Sequence, residues 1–193
     1  PPLARDLGLS VIETSTIFSI SAVAWAITSA SWGRASDKYG RRNIAVIGLV
    51  GYSVSIIALI TPLFLVEQKI LDLVYLLPLL ILGRLINGLI GSATRPAAFA
   101  YMADISDRSK RTKKFARLES SFLIGTIMGP MLGGFLFLYS KTLPFYVFAC
   151  CGFIASIGIY ISFPKQIIPK EKVEKVIAKL SYKDKSVWPF LFI

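Results

Sequence analysis

The sequence contains no histidine, and its acids are scarce: 11 Asp and Glu against 22 Lys and Arg in 193 residues. Without an imidazole there is no His-based triad, no ordinary zinc site and no imidazole proton relay. Only two cysteines are present, Cys150 and Cys151, adjacent within an apolar run. Neighbours on a helix point apart, so plain packing is expected of them rather than a disulfide or a metal site. Charged residues make up 17%, where a soluble domain averages about a quarter. Strand-like alternation is missing. So are a nucleophile–base arrangement, a metal-ligand cluster and a phosphate loop, and neither an enzyme, a metal nor a cofactor is expected.

What is present is apolar bulk: 54% hydrophobic residues and a mean hydropathy of +0.64. Five runs, at 12–32, 44–65, 73–98, 118–139 and 143–163, approach the ~20 residues that cross a bilayer as a helix. The expected fold class is all-α, a polytopic membrane helix bundle. The net charge of +11 does not read as nucleic-acid binding, because the cations fall in blocks between apolar runs and not on one exposed face. The first block is Arg34, Lys38, Arg41 and Arg42. The second runs from Arg108 to Arg117, and the third is a Lys-rich stretch between 165 and 185. They alternate with poorly charged connections, so the basic loops are expected to be cytoplasmic and residue 1 outside. Trp32, Tyr39 and Trp188 fall near the cytoplasmic boundaries, where amphipathic rings are favoured. Val173, Val176, Ile177 and Leu180 form an apolar stripe in the last connection, either a helix on the inner membrane surface or a linker between domains. Residues 1–11 lack the pattern of a signal peptide. The chain is expected to be a fragment, opening in a loop and ending just inside another apolar segment, SVWPFLFI.

Several residues carry more than bulk. In GRASDKYGRR, residues 33–42, Gly33 and Gly40 suit close approach or positive φ in a tight turn. Asp37 can accept hydrogen bonds from helix N-termini or from Arg. Arg84 lies deep in its run, where a charge costs several kcal/mol and needs a partner or a cavity. Glu13, Glu119 and Asp104 read as lying at span ends, which leaves Arg84 without a deep acid. Arg95, before Pro96, either snorkels or lines an inner vestibule and attracts anions. Gly125, Gly129 and Gly133 repeat every four residues as a smooth stripe for close helix packing, and Pro130 is expected to bend that helix. Phe18, Trp25, Phe99, Tyr101 and Phe122 are candidates to line a cavity for apolar cargo.

The stretch 33–42 resembles the loop motif between the second and third helices of the major facilitator superfamily, in Gly33, Asp37, Lys38, Gly40, Arg41 and Arg42. It departs mildly at Ala35, where the family often has Leu. LILGRLINGLIGSA, residues 80–93, resembles the fourth-helix motif around Arg84, with Asn87 where many members have Gln, then Gly88 and Gly91. GTIMGPMLGG, residues 125–134, resembles the fifth-helix motif of the exporter branch, with Gly125, Gly129, Pro130, Gly133 and Gly134 in register. AYMAD, residues 100–104, is similar to the end of the fourth helix in drug–proton antiporters and tetracycline exporters.

The resemblance implies helices two to six, as a partial N-terminal half, over 1–163. A cytoplasmic inter-half linker over 164–187 and the start of a seventh helix at 188–193 would follow. It also implies a secondary active transporter in the cell's inner (plasma) membrane, exporting a small molecule against protons by alternating access. The implied partners are that cargo, protons, the bilayer and the remaining half of the polypeptide. Asp37 and Arg41 would form a cytoplasmic latch with Asp104, near an inner vestibule holding Arg95 and Arg111. Arg84 would couple proton or substrate movement, and the fifth-helix motif would seal the path against leak. A facilitator-family importer or uniporter, and a non-transporting receptor or scaffold, are the competing readings.

Overall fold

Residues 10–163 are described in a computed structural model. They form six α-helices: α1 Val11–Tyr39, α2 Arg41–Glu67, α3 Leu76–Leu89, α4 Thr94–Asp104, α5 Arg111–Phe137 and α6 Leu143–Ser162. Short 3₁₀ turns at Leu73–Tyr75, Gly91–Ala93 and Arg108–Lys110 punctuate them. No strand occurs among the described residues. Five segments are long and apolar enough to cross a membrane: α1, α2, Leu73–Asp104, α5 and α6. The fold is therefore an all-α membrane helix bundle. The stripe at 173–180, the expected linker and the segment at 188–193 lie outside the described residues.

α1 and α2 run past their apolar stretches at both ends, and the third span and α5 do so where they flank residues 105–110, because charged side chains do not by themselves break a helix. α1 starts at a capping box. The Ser10 hydroxyl oxygen accepts the Glu13 N–H at 3.2 Å, and the Glu13 carboxylate accepts the Ser10 N–H at 2.8 Å. Such a pair satisfies two of the orphan donors at a helix start. At the other end α1 continues through 33–39, and the expected turn shrinks to one residue, Gly40, at φ 94° and ψ 137°. Only glycine adopts that conformation cheaply. Gly33 is helical, and a Cβ there would meet nothing within 4 Å. Its place in the motif has no conformational or packing reason among the described residues.

Small residues set the closest helix contacts, as expected where no water drives association between helices. A Cβ on Gly88 would lie 2.6 Å from the Ser21 carbonyl oxygen and 2.7 Å from the Ala24 Cβ. One on Gly51 would lie 2.3 Å from Ile90 Cγ2, and one on Gly152 2.3 Å from Ser53 Oγ. α1, α2 and α3 bury Ile17, Ile60, Leu63, Leu76 and Leu80 towards one end. Ile44, Ala45, Ala93 and Ala97 form a second cluster, against Trp32, Ala35 and Ile159. Ser53, Ser55 and Ser92 are fully buried, and each hydroxyl donates to a carbonyl one turn back. α5 buries none of its residues.

Candidate functional site

Three helix ends meet at Arg41. Its side chain is only 11% exposed. It forms an ion pair with Asp37 on α1, and its Nε donates to Asp104 Oδ2 at the end of α4 at 3.0 Å. Its Nη1 donates to Ser36 Oγ at 2.6 Å, and the fully buried Ser36 hydroxyl donates in turn to the Gly33 carbonyl at 2.7 Å. The planar guanidinium suits this work, since it holds several acceptors in fixed directions. Asp37 and Asp104 are thus joined through Arg41 and not to each other. Next to it, Arg42 Nη1 donates to the Phe163 carbonyl at 3.2 Å, and its Cζ lies 4.6 Å from the Tyr160 ring centroid. A cation there satisfies carbonyls left open at the end of α6 and opposes its dipole. Lys38 is exposed, with Nζ 5.2 Å from the Tyr39 ring. These bonds bring the first two basic connections and the end of α6 to one end of the bundle.

The run expected at 73–98 is a composite span, interrupted at 90–93 between α3 and α4. A break frees carbonyls inside the membrane, each costly if left unbonded. α1 satisfies them. Thr28 Oγ1 donates to the Gly88 carbonyl at 3.0 Å, and Trp32 Nε1 donates to the Leu89 carbonyl at 2.5 Å. Trp32, expected as an interfacial ring, gives its indole N–H to the break. Asn87 Oδ1 is buried without a hydrogen-bond partner among the described residues, against Gly91, where a Cβ would lie 2.5 Å from it. Gly88 provides the close approach to α1 described above.

Arg84 meets no carboxylate among the described residues. Its Cζ lies 4.3 Å from the ring centroid of Phe18 on α1, so this aromatic face, expected to line a cavity, is its neighbour.

Arg95 is engaged, not merely snorkelling. Its Nη2 donates to Glu119 Oε1 on α5 at 2.5 Å, and both side chains stay half-exposed, at 48% and 40%. Sequence reasoning placed Glu119 at a span end. It stands two turns inside α5, because the helix begins at Arg111. Phe99 stacks between Phe115 and Phe122, with centroids at 5.6 and 6.2 Å. Arg95 Cζ lies 5.7 Å from Phe99 and 5.3 Å from Phe122.

The remaining candidate residues have the following neighbours. Arg111 Nη2 donates to the Ala103 carbonyl at 3.1 Å, and Lys114 Nζ to the Ile105 carbonyl at 2.9 Å. Both therefore finish the end of α4. Tyr101 packs edge-on against Phe163, with ring centroids 4.4 Å apart. Trp25 is partly buried on α1. Gly125, Gly129 and Gly134 have nothing within 4 Å of a built Cβ, and only Gly133 approaches a ring, that of Phe148 at 3.4 Å. The glycine stripe finds no close helix among the described residues, since α5 lies at the edge of the bundle. Pro130 sits within an unbroken α5.

A family model described as Major Facilitator Superfamily matches residues 1–193. The chain belongs to the Major Facilitator Superfamily. It is 29% identical over 188 residues to the quinolone resistance protein NorA of Staphylococcus aureus (strain Mu50 / ATCC 700699), covering 95% of this chain and 45% of that protein. It is 33% identical over 167 residues to the tetracycline resistance protein, class B, of Escherichia coli, covering 84% of this chain and 38% of that protein. The chain thus spans less than half the length of the curated relatives it matches. Both carry drug-resistance names, in keeping with the exporter branch that the fourth- and fifth-helix motifs resemble. The protein is an integral membrane protein of this superfamily.

Proposed function

We propose that the full polypeptide is a secondary active exporter of a small molecule, driven by proton exchange and working by alternating access. The observation that carries this reading is the Arg41 junction. One guanidinium binds Asp37 and Asp104 across three helix ends. All three belong to one half, so the junction builds the charged face that a latch to the other half would use, and ion pairs of this kind break and remake without repacking apolar surface as halves rock about a fixed site. The names of the two relatives support an expelled drug-like cargo. The excess of Lys and Arg at the Arg41 end makes that end cytoplasmic, in the cell's inner membrane. The cation Arg84 in mid-span supports a carrier over a scaffold, since a scaffold gains nothing from a charge held there. The protein acts as a carrier, with no bond-making chemistry of its own.

One observation favours a second reading. Among the described residues Arg84 faces Phe18 and no acid, which favours a facilitator-family importer or uniporter without proton exchange as the alternative. The test uses the full-length parent in inverted, respiring vesicles with a pH-sensitive dye and a cargo panel that includes lipophilic cations. Collapse of the gradient on cargo addition, lost in Arg84→Ala, is expected. No collapse, together with energy-independent cargo equilibration, would establish the facilitator instead.

A further inference from the structure

Donors are spread unevenly around the break between α3 and α4. Towards α1, the Leu89 carbonyl receives two, Trp32 Nε1 and the Ser92 hydroxyl, and the Gly88 carbonyl receives the Thr28 hydroxyl. On the side of Gly91, which faces Tyr52 of α2, Asn87 Oδ1 is buried and receives none among the described residues. One other buried side-chain atom there lacks a partner, Arg42 Nε, but its guanidinium bonds two carbonyls through Nη1. Asn87 Oδ1 lies against a Cα–H of Gly91, where a Cβ would come within 2.5 Å of it. Such a C–H is a weak donor. Turning the amide over would set its N–H2 against the same C–H, so the oxygen belongs there. The oxygen is already covered by the atoms of this half. No group from the rest of the polypeptide reaches it, therefore, while α2 and α3 stay as they are. The surface facing it is free to part. Gly91, Ser92 and Ala93 are buried, and the break rests on two glycines of α2. A Cβ on Gly51 would strike Ile90, and one on Gly48 would strike Thr94. At these points the break lies on bare backbone, and no α2 side chain has to be withdrawn for the two to separate.

We propose that Asn87 acts as a spring in the transport cycle. Its unpaired oxygen disfavours the conformation seen here and tips the carrier towards one in which α2 and the break have moved apart and water reaches that oxygen. A buried acceptor left without a donor is a standing cost to the arrangement that buries it. It shifts the ratio of two conformations by roughly tenfold. An apolar side chain of the same shape carries no such cost and leaves the closed arrangement favoured. The inference rests on the reading of the full polypeptide as an alternating-access carrier, exporter or facilitator alike, since both need the helices to part and close again.

The full-length parent is compared with two variants. Asn87→Leu removes the polar atoms at nearly the same volume, and Asn87→Ala removes them without crowding Gly91. Hydrogen–deuterium exchange of peptides across residues 86–94 reads how often the break opens. It needs no cargo. Flux in the vesicle assay above, with any cargo of the panel that moves, reads the cycle. Both variants are expected to slow exchange across 86–94 about tenfold and to leave exchange in α6 unchanged. The thermal midpoint should stay level or rise, and flux should nevertheless fall severalfold. A tighter break with a slower cycle is a combination that a merely structural residue does not give. Unchanged or faster exchange, or a lowered midpoint in both variants, would mean that Asn87 helps to hold the break, and overturns the proposal. Unchanged flux despite slowed exchange overturns it as well. A wild type that equilibrates cargo without moving protons removes the exporter reading alone. Cargo equilibration then serves as the flux, and the same comparison decides the role of Asn87.

Discussion

Gly88→Ala isolates the closest contact between α1 and α3. The new methyl would lie 2.6 Å from the Ser21 carbonyl oxygen and 2.7 Å from the Ala24 Cβ, where ordinary contact begins at 3.4 Å. Neither neighbour is the end of a flexible side chain, so the two helices must separate by about 0.8 Å. The Thr28 hydroxyl, 3.0 Å from the Gly88 carbonyl, then loses contact with the freed backbone at the break. Overpacking of this kind costs ~1–3 kcal/mol, and the helix propensity of alanine returns ~0.5–1 kcal/mol. The net expectation is a loss of about 1–2 kcal/mol. Gly158→Ala is the control, because its Cβ meets nothing within 4 Å and only the propensity gain applies. Thermal unfolding of the full-length parent in detergent, followed by size-exclusion of the surviving monodisperse fraction, reads both. Gly88→Ala should lower the midpoint by a few degrees and Gly158→Ala should leave it level or slightly raised. Equal midpoints for the two would refute the close-approach argument.

Three further expectations follow from the same end of the bundle. Gly40→Ala forces a side chain into φ 94° and should cost ~1–3 kcal/mol, read as a lowered midpoint in the same assay; an unchanged midpoint would mean the link between α1 and α2 relaxes freely. Arg41→Lys keeps the charge but cannot reach Asp37, Asp104 and Ser36 together. Dye-monitored flux should fall severalfold with membrane insertion intact, and wild-type flux would remove the junction from the mechanism. Trp32→Phe deletes the donor to the Leu89 carbonyl and should cost ~0.5–1.5 kcal/mol, a loss the Ser92 bond to the same carbonyl at 3.2 Å partly offsets. An equal loss on Trp32→Phe in a Ser92→Ala background would show that the two donors act independently.

The apolar runs and basic blocks were enough to place five spans, because segment length and Lys/Arg position are one-dimensional signals. The loop motif was legible for a similar reason: its residues lie within ten positions of each other. What hydropathy hid was where helices really start and stop. Gly40 alone ends α1, and the break at 90–93 contains no proline and no charge. Its compensation, Trp32 and Thr28, stands some sixty residues earlier. Cross-helix partners of that kind leave no local pattern.

Glu119 carries a signal that hydropathy passes over. It stands at the edge of an apolar run, and by register it is opposite Arg95. α4 and α5 are joined by a short turn, so residues at equal distances from it face each other in an antiparallel hairpin. Arg95 and Glu119 stand nine and eight residues from the respective ends. Opposite charges at matching distances from a short interhelical turn are therefore a pairing signal that sequence alone contains. The same count gives Arg84 no such partner: the described acids on either side of its span, Asp72 and Asp104, lie at the ends of its composite helix. Among the described residues the Phe18 ring lies against this arginine and no acid pairs with it. Arg84→Ala is accordingly expected to change coupled flux more than the stability of this half.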